Sequence, residues 1–134
     1  MTTAQSVAEE SGSVPGIQLE ELRVTASVRG AAARLVLAGT ADTRAAEALG
    51  EMLKKLHTRC TEAGVLEVEV DLRDLEFMNS SSFKAFVSWI TAVRELDRGK
   101  QYKLTFQSDN GKHWQRRSLG ALSCFAIDLI TIRT

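Results

Sequence analysis

Several residue types that anchor or cross-link a chain are scarce in this sequence. One proline, two cysteines and two histidines occur among 134 residues, and aromatic residues make up only 6%. Cys60 and Cys124 are far apart and form no CxxC pair, so neither a zinc site nor a disulfide framework is predicted. We expect both to be buried thiols kept reduced in a cytosolic protein.

The sequence also has no excess of charge and no long apolar run. Lysine plus arginine and aspartate plus glutamate both number 17. This balance argues against a general nucleic-acid binder and a polybasic membrane anchor, which need a surplus of positive charge. No segment approaches the roughly 20 apolar residues that span a bilayer. We therefore expect a cytoplasmic protein without membrane insertion.

The chain length predicts one domain that is preceded by a tail. Residues 1–16 are rich in Ser, Thr, Glu and Gly, contain Pro15 and include no apolar core, so they do not form a signal peptide. Such a composition buries too little apolar surface to become ordered. We predict a flexible tail over Met1–Gly16 and a folded domain over Ile17–Thr134.

Hydrophobic patterning predicts an α/β domain in which strands alternate with amphipathic helices. The predicted strands are Leu22–Val28, Ala33–Ala38, Val65–Leu72, Tyr102–Gln107 and Leu129–Arg133. The predicted helices begin after Asp42, within Asn79–Ser82 and near Trp114, and Arg73–Met78 is expected to be a short connection. The resulting order is β-β-α-β-α-β-α-β, which implies a mixed sheet with helices packed on it.

No motif for enzyme chemistry is present. The sequence has no nucleophile elbow, no P-loop and no dinucleotide-binding glycine pattern. His57 lies beside Lys54, Lys55 and Arg59, which predicts a solvated helix face. We therefore predict no enzymatic activity, no cofactor and no metal site.

A serine cluster, Asn79-Ser80-Ser81-Ser82, stands where a hydrophobic strand leads into an amphipathic helix. The first turn of a helix has unpaired amide hydrogens and a positive dipole end, which favour an anion. A hydroxyl at this place can take a phosphate whose charge the helix stabilises. Helix capping alone is the other explanation, because serine is a common N-cap.

The wider pattern resembles the STAS family, named for sulphate transporters and anti-sigma-factor antagonists. The resemblance covers Ile17–Thr134: a hairpin, the Gly39-Thr40-Ala41-Asp42 segment before the first helix, and Val70-Asp71-Leu72 followed by Phe77-Met78. Where the family has Asp-Ser-Ser-Gly-Leu, this chain has Asn79-Ser80-Ser81-Ser82-Phe83. The resemblance implies a STAS-like mixed sheet.

The resemblance also implies a function in a bacterial partner-switching system. In phosphorylatable members, a serine of the motif is modified by a partner kinase that is also the anti-sigma factor, and a phosphatase reverses the change. The serines that map onto this position are Ser81, which we place first, and Ser80. Asn79, Ser82 and Lys84 are the candidates for the surface that contacts the partner. Asn79, Ser82 and Phe83 depart from the usual Asp, Gly and small aliphatic residue. These departures are also consistent with a divergent branch whose partner is not an anti-sigma kinase.

Two other functions remain open from the sequence. Some STAS-like proteins are unphosphorylated scaffolds or transporter-associated subunits, in which the serines would only cap the helix. A small enzyme or nucleotide binder is a third possibility, although no phosphate-binding glycine loop supports it. The basic cluster Lys112, His113, Arg116 and Arg117 fits either a solvated helix face or a site for an acidic partner.

Overall fold

Six strands form one sheet whose strand order follows the chain, β1-β2-β3-β4-β5-β6. The computed structural model describes residues 11–18 and 21–134. The strands are β1 (Ser11–Gln18), β2 (Leu22–Arg29), β3 (Ala32–Ala41), β4 (Glu67–Met78), β5 (Lys103–Gln107) and β6 (Ile130–Arg133). The helices are α1 (Thr43–Ala63), α2 (Ser80–Arg94) and α3 (His113–Phe125), with a single 3₁₀ turn at Arg98–Lys100.

The sheet is mixed, as predicted. β1, β2 and β3 pair antiparallel, whereas β3, β4, β5 and β6 pair parallel. Each parallel connection contains one α-helix, in agreement with the long crossover that parallel neighbours need. From β2 onward the observed order of strands and helices is the predicted one.

β1 is an additional strand that the sequence did not reveal. It includes residues 11–16, which the prediction placed in the flexible tail, while residues 1–10 lie outside the described part of the chain. Val14 and Ile17 are 3% and 8% exposed, and the register shifts between them. That bulge spaces the two apolar residues by three positions, so they show no strand alternation. Pro15 is tolerated there because β1 is an edge strand.

Arg73–Met78 is the second half of β4. The prediction of a short connection over these residues is wrong. Asp74 pairs with Ala38 and Met78 pairs with Ala41 after shifts in register. β5 accompanies β4 only as far as Asp71. The second half of β4 has a partner strand on one side only, so its charged residues can be exposed. With these charges its sequence resembles that of a loop.

One face of the sheet packs against the helices and the other is polar. Right-handed connections that advance one strand at a time place their helices on the same face. Alternate residues of β2 are accordingly buried and exposed. On the opposite face Arg34 donates to Glu69 at 3.0 Å and to Asp71 at 2.8 Å. Within the described residues no element covers this face.

The two cysteines differ in burial. Cys60 is 0% exposed on the inner side of α1, and burial raises the pKa of its thiol to about 12. Cys124 is exposed, contrary to the prediction. The buried residues of α3 are Gln115, Leu119 and Leu122. Position 124 lies outside this helical stripe and therefore faces solvent.

Candidate functional site at the start of helix α2

The serine cluster lies in the first turn of α2, as the sequence predicted. Asn79 is the N-cap: its backbone is extended, and its side-chain oxygen accepts a hydrogen bond from the Ser82 amide at 2.9 Å. The three serines therefore occupy the first three helical positions. An asparagine satisfies one of the amides that the first turn leaves unpaired.

The start of α1 lies directly beside the start of α2. Asp42 caps α1, accepting hydrogen bonds from the Arg44 and Ala45 amides at 3.0 and 3.2 Å. Two side-chain hydrogen bonds join the two starts: the Asn79 amide donates to Thr43 Oγ1 at 2.6 Å, and the Ser82 hydroxyl donates to the Asp42 carbonyl at 3.2 Å. Two positive helix ends therefore meet at the carboxyl edge of β3 and β4.

The three serines differ sharply in accessibility. Ser80 is exposed, Ser81 is half-buried and Ser82 is 0% exposed. Ser82 was a predicted contact for the partner, and the structure corrects this, because its hydroxyl is turned inward to the Asp42 carbonyl. Lys84, another predicted contact, is exposed, and Asn79 is half-buried.

A carboxylate stands beside the site even though Asn79 replaces the usual aspartate. Burial tends to raise the pKa of Asp42, but hydrogen bonds from the Arg44 side chain and from the Arg44 and Ala45 amides outweigh it and hold this pKa below its usual range. The Arg44 guanidinium lies 3.2 Å from the Asp42 carboxylate. Asp42 is therefore ionised next to the serines at neutral pH.

A groove of about 550 Å³ runs between α1 and α2 from the serine cluster. Ser81 and Lys84 lie at its amino-terminal end and His57 at its other end, because both helices start at the same edge of the sheet. The floor of the groove includes Leu53 and Trp89. Its walls consist largely of small residues, which are Ala46, Gly50, Ala85, Ser88 and Ala92. The groove was not predicted from the sequence, although its small residues recur at helical spacing on both helices.

His57 does not lie on a solvated face, which corrects the sequence-based prediction. The Tyr102 hydroxyl accepts a hydrogen bond from Trp89 Nε1 at 2.8 Å and lies 2.6 Å from His57 Nδ1. Because the indole can only donate, His57 Nδ1 is the one acceptor among these three groups that the tyrosine proton can reach. Burial lowers the pKa of His57, so its ring is neutral at physiological pH.

The basic cluster at the start of α3 is partly engaged within the domain. Lys112 donates to the Arg73 carbonyl at 2.7 Å and to Asp109 at 3.1 Å, and it lies 3.6 Å from Glu76. Arg116 donates to the Asn110 carbonyl at 3.3 Å. His113 and Arg117 are exposed. The cluster is therefore in part an internal connection between α3 and β4.

Neither a metal centre nor a membrane helix is found within residues 11–18 and 21–134. No group of three His, Cys, Asp or Glu side chains there is placed to hold a metal ion. None of the described helices combines the length and apolar character that crossing a bilayer requires.

Comparison with known proteins identifies the fold. No protein-family model and no protein with a curated description matches the sequence. A solved structure described as an anti-sigma factor antagonist from Mycobacterium paratuberculosis matches with a TM-score of 0.59 at 13% sequence identity, covering 78% of this chain and 81% of that chain. The STAS-like fold that the sequence predicted is thereby confirmed.

Proposed function

We propose that this chain is a phosphorylation-regulated protein-binding module of a bacterial partner-switching system, acting in the cytoplasm as an anti-sigma factor antagonist and not as an enzyme. The fold supports this proposal. The observation that carries it is the exposed Ser80 hydroxyl in the first turn of α2, at the point where the starts of two helices meet. A phosphate there would be stabilised by two helix ends and would remain accessible to a partner.

Accessibility ranks the candidate phosphoacceptors. Ser80 is exposed, whereas Ser81 is half-buried against the groove between α1 and α2. The sequence-based order placed Ser81 first, and the exposure of the side chains supports the opposite order. Ser82 is the weakest candidate, because a kinase would have to open the first turn to reach its hydroxyl.

The charge around Ser80 provides a mechanism for release of the partner. The unphosphorylated chain binds a kinase that is also the anti-sigma factor, so that a sigma factor is set free. A phosphoserine carries about −1.5 to −2 charges at neutral pH. Added at the exposed start of α2, this charge changes the surface that the partner contacts and disfavours the complex. A phosphatase restores the binding form.

The experiment pairs the purified chain with each anti-sigma-factor kinase encoded by its source genome. We expect one kinase to bind it, and ATP to yield phosphate at Ser80 by mass spectrometry. Ser80→Ala should remove that phosphate without preventing binding, and Ser80→Asp should abolish binding. Ser118→Asp on α3 is the control for an added charge.

Two outcomes would contradict the proposal. One is that no kinase binds the wild-type chain. The other is that protein purified from the native host carries no phosphate at Ser80 or Ser81 while Ser80→Asp and Ser81→Asp bind the partner like wild type. The second outcome would favour the unphosphorylated scaffold or transporter-associated subunit.

A further inference from the structure

We infer that the groove between α1 and α2 receives a helix of the protein partner, which inserts a row of apolar side chains and places a carboxylate opposite Lys84. The identity of the partner rests on the proposed function. Most side chains that line the groove take no part in the phosphorylation switch, so the inference can fail while the proposed function stands.

The size and walls of the groove suit a helix. Its volume of about 550 Å³ exceeds what one small side chain fills. Amphipathic helices bind such grooves through apolar residues at positions i, i+3, i+4 and i+7. Alanine, glycine and serine on both walls allow a third helix to approach closely, because none of them fills the space between α1 and α2.

Gly50 keeps the middle of the groove open. It lies inside α1, where glycine costs about 1 kcal/mol relative to alanine. A Cβ built at Gly50 would meet no atom within 4 Å, so packing within the domain does not require a glycine there. A larger side chain at this position would enter the groove without disturbing the core.

Two polar groups beneath the groove, the Trp89 indole N–H and the Tyr102 hydroxyl, are already paired within the domain. Trp89 Nε1 donates to the Tyr102 hydroxyl at 2.8 Å, and that hydroxyl is hydrogen-bonded to His57 Nδ1 at 2.6 Å. Removing water from a floor that lacks these bonds would leave buried donors unsatisfied, at about 1–3 kcal/mol each. Here these bonds already exist, so an apolar partner does not leave the Trp89 indole or the Tyr102 hydroxyl unsatisfied.

The charges on the rim define the partner further. Lys84 on α2 forms no ion pair with any of the described residues, whereas Lys54 on α1 lies 3.6 Å from Glu51. Glu47 adds one negative charge on the α1 side. A carboxylate on the partner would therefore find its free counter-charge at Lys84, on the α2 side.

This arrangement links the groove to the proposed switch. Ser80 and Lys84 are four residues apart on α2, so their side chains lie on the same helix face one turn apart. A phosphate on Ser80 would attract the Lys84 ammonium away from the partner's carboxylate, and it would repel that carboxylate as well. Loss of one ion pair and gain of one repulsion would release the partner helix.

The test uses the anti-sigma-factor kinase that binds the wild-type chain, with affinity measured by calorimetry. Gly50→Leu and Ser88→Leu fill the groove and should weaken binding about tenfold or more, because buried central contacts dominate interface energy. Gly120→Leu is the matched control, since Gly120 is also helical with open space around its Cβ site but lies on α3, away from the groove. Circular dichroism and thermal unfolding of each variant check the fold.

Each result distinguishes the two ideas. If folded Gly50→Leu and Ser88→Leu bind like wild type while Ser80→Asp does not bind, the groove inference is overturned and the proposed function stands. If no kinase binds the wild type, the proposed function fails and this inference fails with it. A dimer of the free chain that Gly50→Leu dissociates would assign the groove to a second copy, which also overturns the inference.

Discussion

The starts of α2 and α3 occupy equivalent places in the fold but are built differently. Each helix follows a strand of the parallel part of the sheet, at its carboxyl edge. The Asn79 side chain caps α2 and leaves Ser80 free. At α3 the residue in the cap position is Lys112, whose side chain makes no capping hydrogen bond and instead reaches β4 and Asp109.

The comparison shows how differently the two helix starts are held to the rest of the domain. Lys112 is only 18% exposed at its side chain, and Gln115 is fully buried with hydrogen bonds to the Leu72 and Leu75 carbonyls. The start of α3 thus fastens the helix to the sheet. The start of α2 is held by one asparagine and one inward serine, which frees the first hydroxyl. The charged patch in the sequence therefore includes one residue, Lys112, that connects α3 to β4, whereas the uncharged cluster contains the candidate switch.

The sharpest test separates neighbouring serines within the start of α2. Ser82→Asp would bury a carboxylate against the Asp42 carbonyl, and we expect it to lower the free energy of unfolding by about 3–5 kcal/mol, as for an uncompensated buried charge. Urea denaturation followed by circular dichroism measures the effect.

The control for this prediction is Ser80→Asp two positions earlier. A carboxylate in an exposed first turn interacts favourably with the helix dipole, so we expect a gain of about 0.3–1 kcal/mol. Equal destabilisation by the two substitutions would contradict the different environments of Ser80 and Ser82.

Gln115→Leu tests whether the start of α3 depends on its fastening to β4. The substitution removes donors to two carbonyls and the acceptor of the Asp109 amide, at 2.6, 3.0 and 2.8 Å. We expect a loss of about 2–4 kcal/mol, because buried backbone groups are left unpaired. Arg117→Leu, on the exposed side of the same helix, should change stability by less than about 0.5 kcal/mol. Similar losses of unfolding free energy in the two variants would show that the hydrogen bonds of Gln115 contribute little to stability.

Asn79→Ala tests the cap of α2 and its link to α1. It removes the acceptor for the Ser82 amide and the donor to Thr43, and we expect a loss of about 1 kcal/mol in chemical denaturation. Asn79→Asp retains the capping acceptor and should recover most of this loss. If Asn79→Asp were as unstable as Asn79→Ala, the bond to Thr43 would be the more important of the two.

The smallest expected effect concerns how the hydrogen bonds at the starts of α2 and α3 respond to a fall in pH. Hydrogen bonds from the Gly111 amide and the Lys112 side chain hold the pKa of Asp109 below its usual range. Because the folded-state pKa is lowered, the stabilisation is present above the usual value of about 3.9 and is lost as pH falls through the folded-state pKa. Nuclear magnetic resonance should show the Gly111 amide shifting over that interval.

The matched observation is the Ser82 amide, whose acceptor is the non-titrating Asn79 side chain. We expect it to shift far less than the Gly111 amide over the same pH range. Asp109→Asn should remove the shift at Gly111. A persistent shift in that variant would mean that another group titrates near the start of α3.

Much of the fold could be predicted because its signals are local. Alternation over β2, the apolar stripes of the helices and the caps at Asp42 and Asn79 each involve residues within about one helical turn of one another. The second half of β4 escaped prediction because it is paired on one side only and carries charges outward. β1 escaped because a bulge removes the alternation of Val14 and Ile17.

The position of the candidate site in the sequence was predicted, but the burial and contacts of its side chains were not. The cluster Asn79–Ser82 was located from its position before an amphipathic helix. The order of its serines could not be found, because their burial depends on α1, which precedes them by about forty residues. The groove and the His57–Tyr102 hydrogen bond were not predicted for the same reason. A local sequence pattern does not indicate which residues from elsewhere in the chain pack against a helix face.

The sequence by itself determined the order of most elements, the cap of α1, and the presence of several candidate caps and hydroxyls at the start of α2. Only the tertiary structure decided that Ser80 faces solvent, that Ser82 faces the Asp42 carbonyl, and that Lys112 is bound to β4. The reason is distance along the chain. Caps and amphipathic stripes depend on neighbours a few residues away, whereas Asn79 meets Thr43 across 36 residues and His57 meets Tyr102 across 45.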